Sequence, residues 1–156
     1  MGARLKILTA IAVALLLVIM TTLLYFKPYN TQLPKERVAA VSLEYANGTV
    51  SEANVYLAEN LTQQETGLMY VKSMGNCNGV NDCYGMLFLF SNYSERCFWM
   101  DNTPMPLKQF WMTGNVITFV YAATPYSTNT ICHPGNRVLE ADINSSLSVG
   151  DKVFTT

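Results

Sequence analysis

The residues best suited to chemistry lie in one short run, Phe98-Trp99-Met100-Asp101-Asn102-Thr103. An indole that can stack, followed by a carboxylate, an amide and a hydroxyl, is what the mouth of a ligand pocket requires. The same run also reads as a buried strand leaving the core through an Asx-type turn ahead of Pro104. That structural reading is preferred, because Asn and Thr routinely satisfy backbone groups at turns. Glu140 is the second candidate. It sits in Val138-Leu139-Glu140-Ala141, where strand alternation points it away from Leu139. Paired with Asp101 it could supply the acid and base of glycoside hydrolysis. No spacing brings the two together, so a solvent-facing strand residue or a buried hydrogen-bond anchor is the preferred reading.

Other chemistries are narrowed by counting. His133 is the one histidine, so a multi-His metal site cannot be built from this chain. It lies in Cys132-His133-Pro134-Gly135, which reads as a turn beside a bridged cysteine and makes a poor hydrolase dyad. Met69, Met74, Met86, Met100, Met105 and Met112 are soft donors suited to Cu(I). Methionine also fills gaps in cores, and that is the reading adopted. Lys108 is expected to be solvated, with its stem packed. There is no Gly-rich phosphate loop, and no cofactor or metal is expected.

Several elements must position these residues. Val38 to Tyr45 and Thr49 to Ala58 flank Asn47-Gly48, a strong hairpin signal. Thr62-Gln63-Gln64-Glu65 has the form of a capping box and predicts a short helix running to about Val71. Ser73 to Tyr84 is rich in Gly, Asn and Asp, and Cys77 and Cys83 are close enough to pinch it as a locally stapled surface excursion. Gly85 to Phe90 and Cys97 to Met100 are short apolar runs. Gln109 to Met112 and Val116 to Ala123 flank Gly114-Asn115, which suits a type II′ hairpin. Arg137 to Asp142 and Lys152 to Thr155 close the chain as strands. The fold class expected is mainly β (α+β): a compact antiparallel sheet or partly closed barrel with one short helix, behind an N-terminal transmembrane helix.

That helix is expected from 20 consecutive uncharged residues, Ile7 to Phe26, preceded by Arg4 and Lys6 and followed by Lys27. At about 1.5 Å per residue the run spans a hydrocarbon layer of roughly 30 Å. The bulky exit, Leu24-Tyr25-Phe26-Lys27, does not resemble a signal-peptidase site. Residues 1–27 therefore read as a signal-anchor, 28–37 as a short tether and 38–156 as the outer domain. Four cysteines, Cys77, Cys83, Cys97 and Cys132, all follow the anchor and fit two disulfides in an oxidising compartment, with three connectivities open. Asn47, Asn60, Asn92 and Asn144 each begin a glycosylation triplet. From Lys35 onward seven scattered cations face eleven acids, a net of −4, which argues against nucleic acid as a partner.

The ordered set Leu57-Ala58, Gln63-Gln64, Gly67-Leu68-Met69, Gly85-Met86-Leu87-Phe88, Phe98-Trp99-Met100, Asn102-Thr103, Pro106-Leu107, Val138-Leu139-Glu140 and Gly150-Asp151 resembles the domain of unknown function family 192, also called uncharacterised protein family 0127. The resemblance covers residues 54–156. It implies a small β-rich domain, often behind a signal or membrane segment, with no established activity. Three departures stand out. Lys108 replaces an acid that usually follows Pro-Leu, so any chemistry that acid carries in relatives is lost here. The segment before Gly85 is longer and contains Cys77 and Cys83, for which a local disulfide is the simplest use. Cys97 and Cys132 stand where relatives commonly have no cysteine, and their pairing is the bridge that remains. The functional expectation is a binding or interaction module on a single span, facing outside the cytoplasmic membrane, with an unknown small molecule, glycan or protein as ligand. A small glycan-acting envelope enzyme is the alternative, and Cu(I) binding ranks third.

Overall fold

The computed structural model describes residues 2, 12–20, 37–77, 80, 81 and 83–156. The chain divides into two units, residues 1–30 and 31–156. In the first, residues 12–20 are helical and exposed. No helix among the described residues is long and apolar enough to cross a membrane. The rest of the expected span, and the tether up to Glu36, lie outside the described residues. The transmembrane helix is thus not supported as expected, since the described turns cover only about half a hydrocarbon layer.

The second unit begins with the predicted hairpin, β1 (Val38–Glu44) and β2 (Val50–Ala58), paired antiparallel with Val41 opposite Ala53. Gly48 closes its turn at φ 84°, its N–H donating to Tyr45 O at 2.8 Å. Helix α1 (Leu61–Thr66) follows. Its capping box is Asn60–Gln63, not Thr62–Glu65: Asn60 Oδ1 accepts from Gln63 N at 3.0 Å while Gln63 Oε1 accepts from Asn60 N. The helix stops at Thr66 and not near Val71, because Gly67 takes φ 47° and the chain turns under the sheet.

Two short strands, β3 (Asn76–Cys77) and β4 (Val80–Asn81), form a separate ribbon closed by a Cys77–Cys83 disulfide. Next comes β5 (Cys83–Phe98), a single strand of 16 residues that absorbs two runs expected to be separate and ends before Trp99. The hairpin of β6 (Leu107–Thr113) and β7 (Val116–Ala123) turns at Gly114-Asn115 as predicted. Strand β8 (Ile131–Asp142) starts six residues earlier than expected, so His133 lies within a strand and not in a turn. β9 (Lys152–Thr155) completes the order β1-β2-β5-β8-β6-β7-β9.

β9 pairs with both β1 and β7, which returns the order on itself, although the β7 seam is the single pair Val116–Lys152. All pairings are antiparallel except β2–β5, which is parallel because α1 and the ribbon carry the chain back to the same end.

Both faces of the central strands are buried. Leu57, Leu87, Phe110 and Leu139 join Val41, Ile117 and Val153 in the cluster that all seven strands enclose. Tyr56, Phe88, Trp111 and Val138 point the other way, and Leu68, Val71, Met100 and Met105 cover them. Strands covered on both faces read as near-continuous apolar runs, as Gly85 to Phe90 does. Beyond the double-covered part, Cys97 and Cys132 face each other across β5 and β8 and are bonded. That bridge closes a loop across 35 positions. Its replacement by Cys97→Ser with Cys132→Ser is expected to lower stability by about 3–4 kcal/mol in the loop-entropy account. Urea unfolding of oxidised wild type against the double variant measures this, and fully reduced wild type should lose more because the second bridge opens too.

Candidate functional site

The site is built where β5 ends. The chain leaves Phe98 and makes a β-turn in which Thr103 N donates to Met100 O at 3.0 Å and Asn102 sits at φ 53°, a left-handed position that Asn tolerates. The turn is stitched on both sides: Tyr70 N donates to Asn102 O at 2.7 Å and Tyr126 N donates to Thr103 O at 3.1 Å. Asn102 Nδ2 donates to Asp101 Oδ2 at 3.0 Å. The preferred turn reading thus describes Asn102 well, with a backbone β-turn in place of the Asx type.

The ligand reading keeps four of its six residues. Trp99, Asp101, Thr103 and Glu140 line one cleft together with Phe88, Phe98, and residues 64–69 of α1 and the turn after it. Its enclosed space is about 30 Å³, room for a water and not for a sugar ring. Asn102 lies outside the lining. Met100 is buried beneath it, with Gln109 Nε2 lying 3.9 Å from its sulfur.

Glu140 is 4% exposed. Register places it opposite Met86 on β5 and opposite Gln109 on β6. Gln109 Nε2 donates to its Oε1 at 3.0 Å, while Oε2 lies on the side of Gly67, where a Cβ would sit 3.9 Å from it and 3.3 Å from the Phe88 ring. Glycine at 67 is favoured by the positive φ, and a Cβ there would also press on the Phe88 ring. Burial raises the Glu140 carboxyl from 4.5 to about 7, and the Gln109 bond opposes this only partly. Near neutral pH the group exists in both forms, able to donate as well as accept. It is thus the buried hydrogen-bond anchor of the two structural readings, not a solvent-facing residue.

A second, larger groove of about 630 Å³ opens beside the cleft and shares Gln64, Glu65, Phe98 and Trp99 with it. Leu61, Phe90, Glu95, Arg96 and Cys97 complete its walls, and the Arg96 guanidinium lies 4.0 Å over the Phe90 ring. Trp99, 50% exposed, stands between the two spaces. Gln64, Gly67 and Gln109 are site residues that residue type and spacing alone do not mark, whereas Phe98 heads the run best suited to chemistry. Gln64 and Gly67 belong to the ordered motif set, which is the available signal.

The other candidates sit elsewhere. His133 stacks flat on Phe119 at 4.6 Å, with Nδ1 against Pro134 O at 3.0 Å. Met74, Met86, Met100 and Met105 are core residues of one layer and Met112 of the other, and Met69 is half-buried, so these side chains pack as the gap-fillers expected of core methionines. Cys97, Cys132 and Glu95 cluster, but both sulfurs are spent in the disulfide. Lys108 lies on the strand face opposite Gln109, where Nζ donates to Ser145 O at 2.7 Å. Its charge reversal is therefore not at the Glu140 cleft. Nearby, Tyr84 shares a 2.6 Å hydrogen bond with Ser145, and burial pushes its phenol up to about 12. Asn47, Asn60, Asn92 and Asn144 are all exposed, with Asn60 engaged as the helix cap and Asn92 accepting from Arg96.

A carboxyl whose folded pKa lies above its unfolded one binds protons more tightly in the native state, so its stabilising effect is complete below about 4.5 and fades as pH rises to about 7. The shift corresponds to about 3 kcal/mol. Glu140→Gln is expected to flatten this part of the stability profile, matching wild type near pH 4.5 and exceeding it above pH 7. Urea unfolding across that range measures it.

Two solved structures resemble the chain. A candidate transcription regulator from Sinorhizobium meliloti 1021 is 29% identical with TM-score 0.70, covering 80% of this chain and 98% of that one. A protein of unknown function from Novosphingobium aromaticivorans DSM 12444 is 25% identical with TM-score 0.62, covering 74% and 84%. No functionally curated protein matches. The profile of DUF192, described as an uncharacterised ACR, matches residues 42–153, a span that holds the cleft, its covering turn and every strand from β2 to β8, and the chain belongs to that family.

Proposed function

We propose that the protein is a membrane-tethered binding module whose β-rich domain faces the exterior of the cytoplasmic membrane and takes its partner at Trp99. The carrying observation is the half-exposed indole between a groove of about 630 Å³ and the Glu140 cleft. A large aromatic left in water at the wall of a concavity is the usual form of a binding anchor. Two disulfides, the uncharged run from Ile7 to Phe26 and four exposed acceptor asparagines support the outward setting.

The glycan-hydrolase reading is weaker. Asp101 and Glu140 do line one cleft, but its space suits a water and not a sugar ring. The Cu(I) reading is weaker still, because Met74, Met86, Met100, Met105 and Met112 are all buried core side chains.

Trp99→Ala removes a half-exposed side chain and is expected to leave unfolding within about 1 kcal/mol of wild type. In full-length protein isolated from its own membranes, it should cut co-purification of the bound envelope component tenfold or more. Unchanged co-purification, or a domain inaccessible to protease added outside intact cells, would sink the reading.

A further inference from the structure

The parallel β2–β5 ladder ends at Ala58 opposite Phe88. Directly after it, Gln64 Nε2 donates to Leu89 O at 2.7 Å and to Ala58 O at 3.5 Å. A side chain of α1 thus stands where a further residue of β2 would have to be. β5 nevertheless continues to Phe98. From Ser94 to Phe98 one edge pairs with β8, and among the described residues no strand pairs with the other.

Three observations fix which backbone groups face that free edge. Pro134 lies opposite Glu95 and has no N–H, so theirs is a non-hydrogen-bonded pair. Cys97 and Cys132 have Cα atoms 4.0 Å apart, the close spacing of the same kind of pair. Arg96, between them, turns its carbonyl inward to accept from Trp111 Nε1 at 2.9 Å. By alternation, the N–H and C=O groups of Glu95 and Cys97 point away from β8, toward the groove of about 630 Å³ that both residues line.

The opposite wall of that groove is α1, with Leu61 69% exposed. Trp99 adds a second apolar surface at the end of the edge. Glu65 and Glu95 both line the groove, and among the described residues neither forms an ion pair. A row of outward backbone donors and acceptors beside an apolar trough is matched by another extended chain. Arg96 also lines the groove, but its guanidinium is engaged by Asn92 and the Phe90 ring, so the two carboxylates leave the walls with a net charge of −1, which favours basic side chains on that chain.

We infer that this groove takes an extended peptide segment alternating apolar and basic residues, which adds as a strand to the Ser94–Phe98 edge of β5. This rests on the binding-module reading and names its partner class. The peptide backbone bonds to Glu95 and Cys97, its apolar side chains pack between Leu61 and Trp99, and its basic ones meet Glu65 and Glu95. Gln64 fixes where the added strand begins, since it closes the ladder before it.

The test is amide hydrogen exchange by NMR on the full-length protein in detergent micelles. The probe is a capped heptapeptide alternating Lys with Val and Leu, used beside a twin whose alternate amides are N-methylated. In the free protein the Glu95 and Cys97 amides should exchange fast while the Arg96 amide is protected. Saturating peptide should slow the first two at least tenfold, and the N-methylated twin should bind at least tenfold more weakly. Protected Glu95 and Cys97 amides in the free protein, equal binding of the twin, or no binding of the peptide would each overturn strand addition. If the envelope component still co-purifies in a Trp99-dependent way, such a result leaves the parent reading standing; if that is lost too, both fail.

Discussion

The close approach of β5 and β8 at Gly85 is the constraint on which the rest of the domain depends. A Cβ at Gly85 would lie 2.0 Å from the Glu140 carbonyl oxygen and 3.2 Å from Ala141 Cα, so no side chain fits between the strands there. With that contact made, the register follows: Met86 opposite Glu140, Leu87 opposite Leu139, Phe88 opposite Val138. Strict alternation then sends Leu87 and Leu139 to the enclosed face and Phe88 and Val138 to the covered one, which gives both apolar layers from a single pairing. It also fixes Glu140 on the covered face, beneath the turn after α1.

Two buried carboxylates in this domain show how differently such groups can be used. Asp151 is 2% exposed and accepts from Ala46 N at 2.7 Å through one oxygen and from Ser148 N and Oγ through the other. Both its oxygens are engaged in tying the β1–β2 turn to the loop before β9, so it serves the seam. Glu140 has one amide donor, Gln109, and its other oxygen is on the cleft side. Such an arrangement leaves acceptor or donor capacity for something small in the cleft. The asymmetry in hydrogen bonding distinguishes the two groups more sharply than burial does.

Much of the strand pattern was legible. Asn47-Gly48 and Gly114-Asn115 marked their hairpins, because each turn needs one residue with φ > 0, Gly48 at the end of the Tyr45–Gly48 turn and Gly114 in the two-residue turn between Thr113 and Val116. Alternation oriented Glu140 correctly. The start of β8 was not legible, since Pro134 and Gly135 are turn residues by composition. Pro134 is tolerated because its pair needs no N–H, and Gly135 because a Cβ there would lie 2.9 Å from Met112 O. The cap of α1 was misplaced by two residues because Asn60 and Thr62 both head plausible boxes, and only the position of β2's end decides between them. That Asp101 and Glu140 line one cleft could not be read from spacing at all: the turn carrying Asp101 is held by Tyr70 N donating to Asn102 O, a contact between loops.

The far half of the β5–β8 ribbon poses the opposite problem from the core. Past Phe88 it loses β2, and past Arg137 β8 loses β6, so two strands run on with their outer edges unpaired among the described residues. Two-stranded ribbons are marginal by themselves, and exposed edges invite aggregation. The sequence counters both. The Cys97–Cys132 bridge holds the strands together where the flanking ladders have ended. The bulge between Leu89 and Ser94 interrupts the edge, and polar Ser91, Asn92, Ser94 and Glu95 border it. A ribbon kept rigid by a covalent link, interrupted against indiscriminate pairing, yet open over Ser94–Phe98, restricts what can pair with it to a short chain that also fits beside α1. On the proposed strand addition the disulfide serves recognition as well as stability, because it holds together the two strands whose edge the added chain would meet.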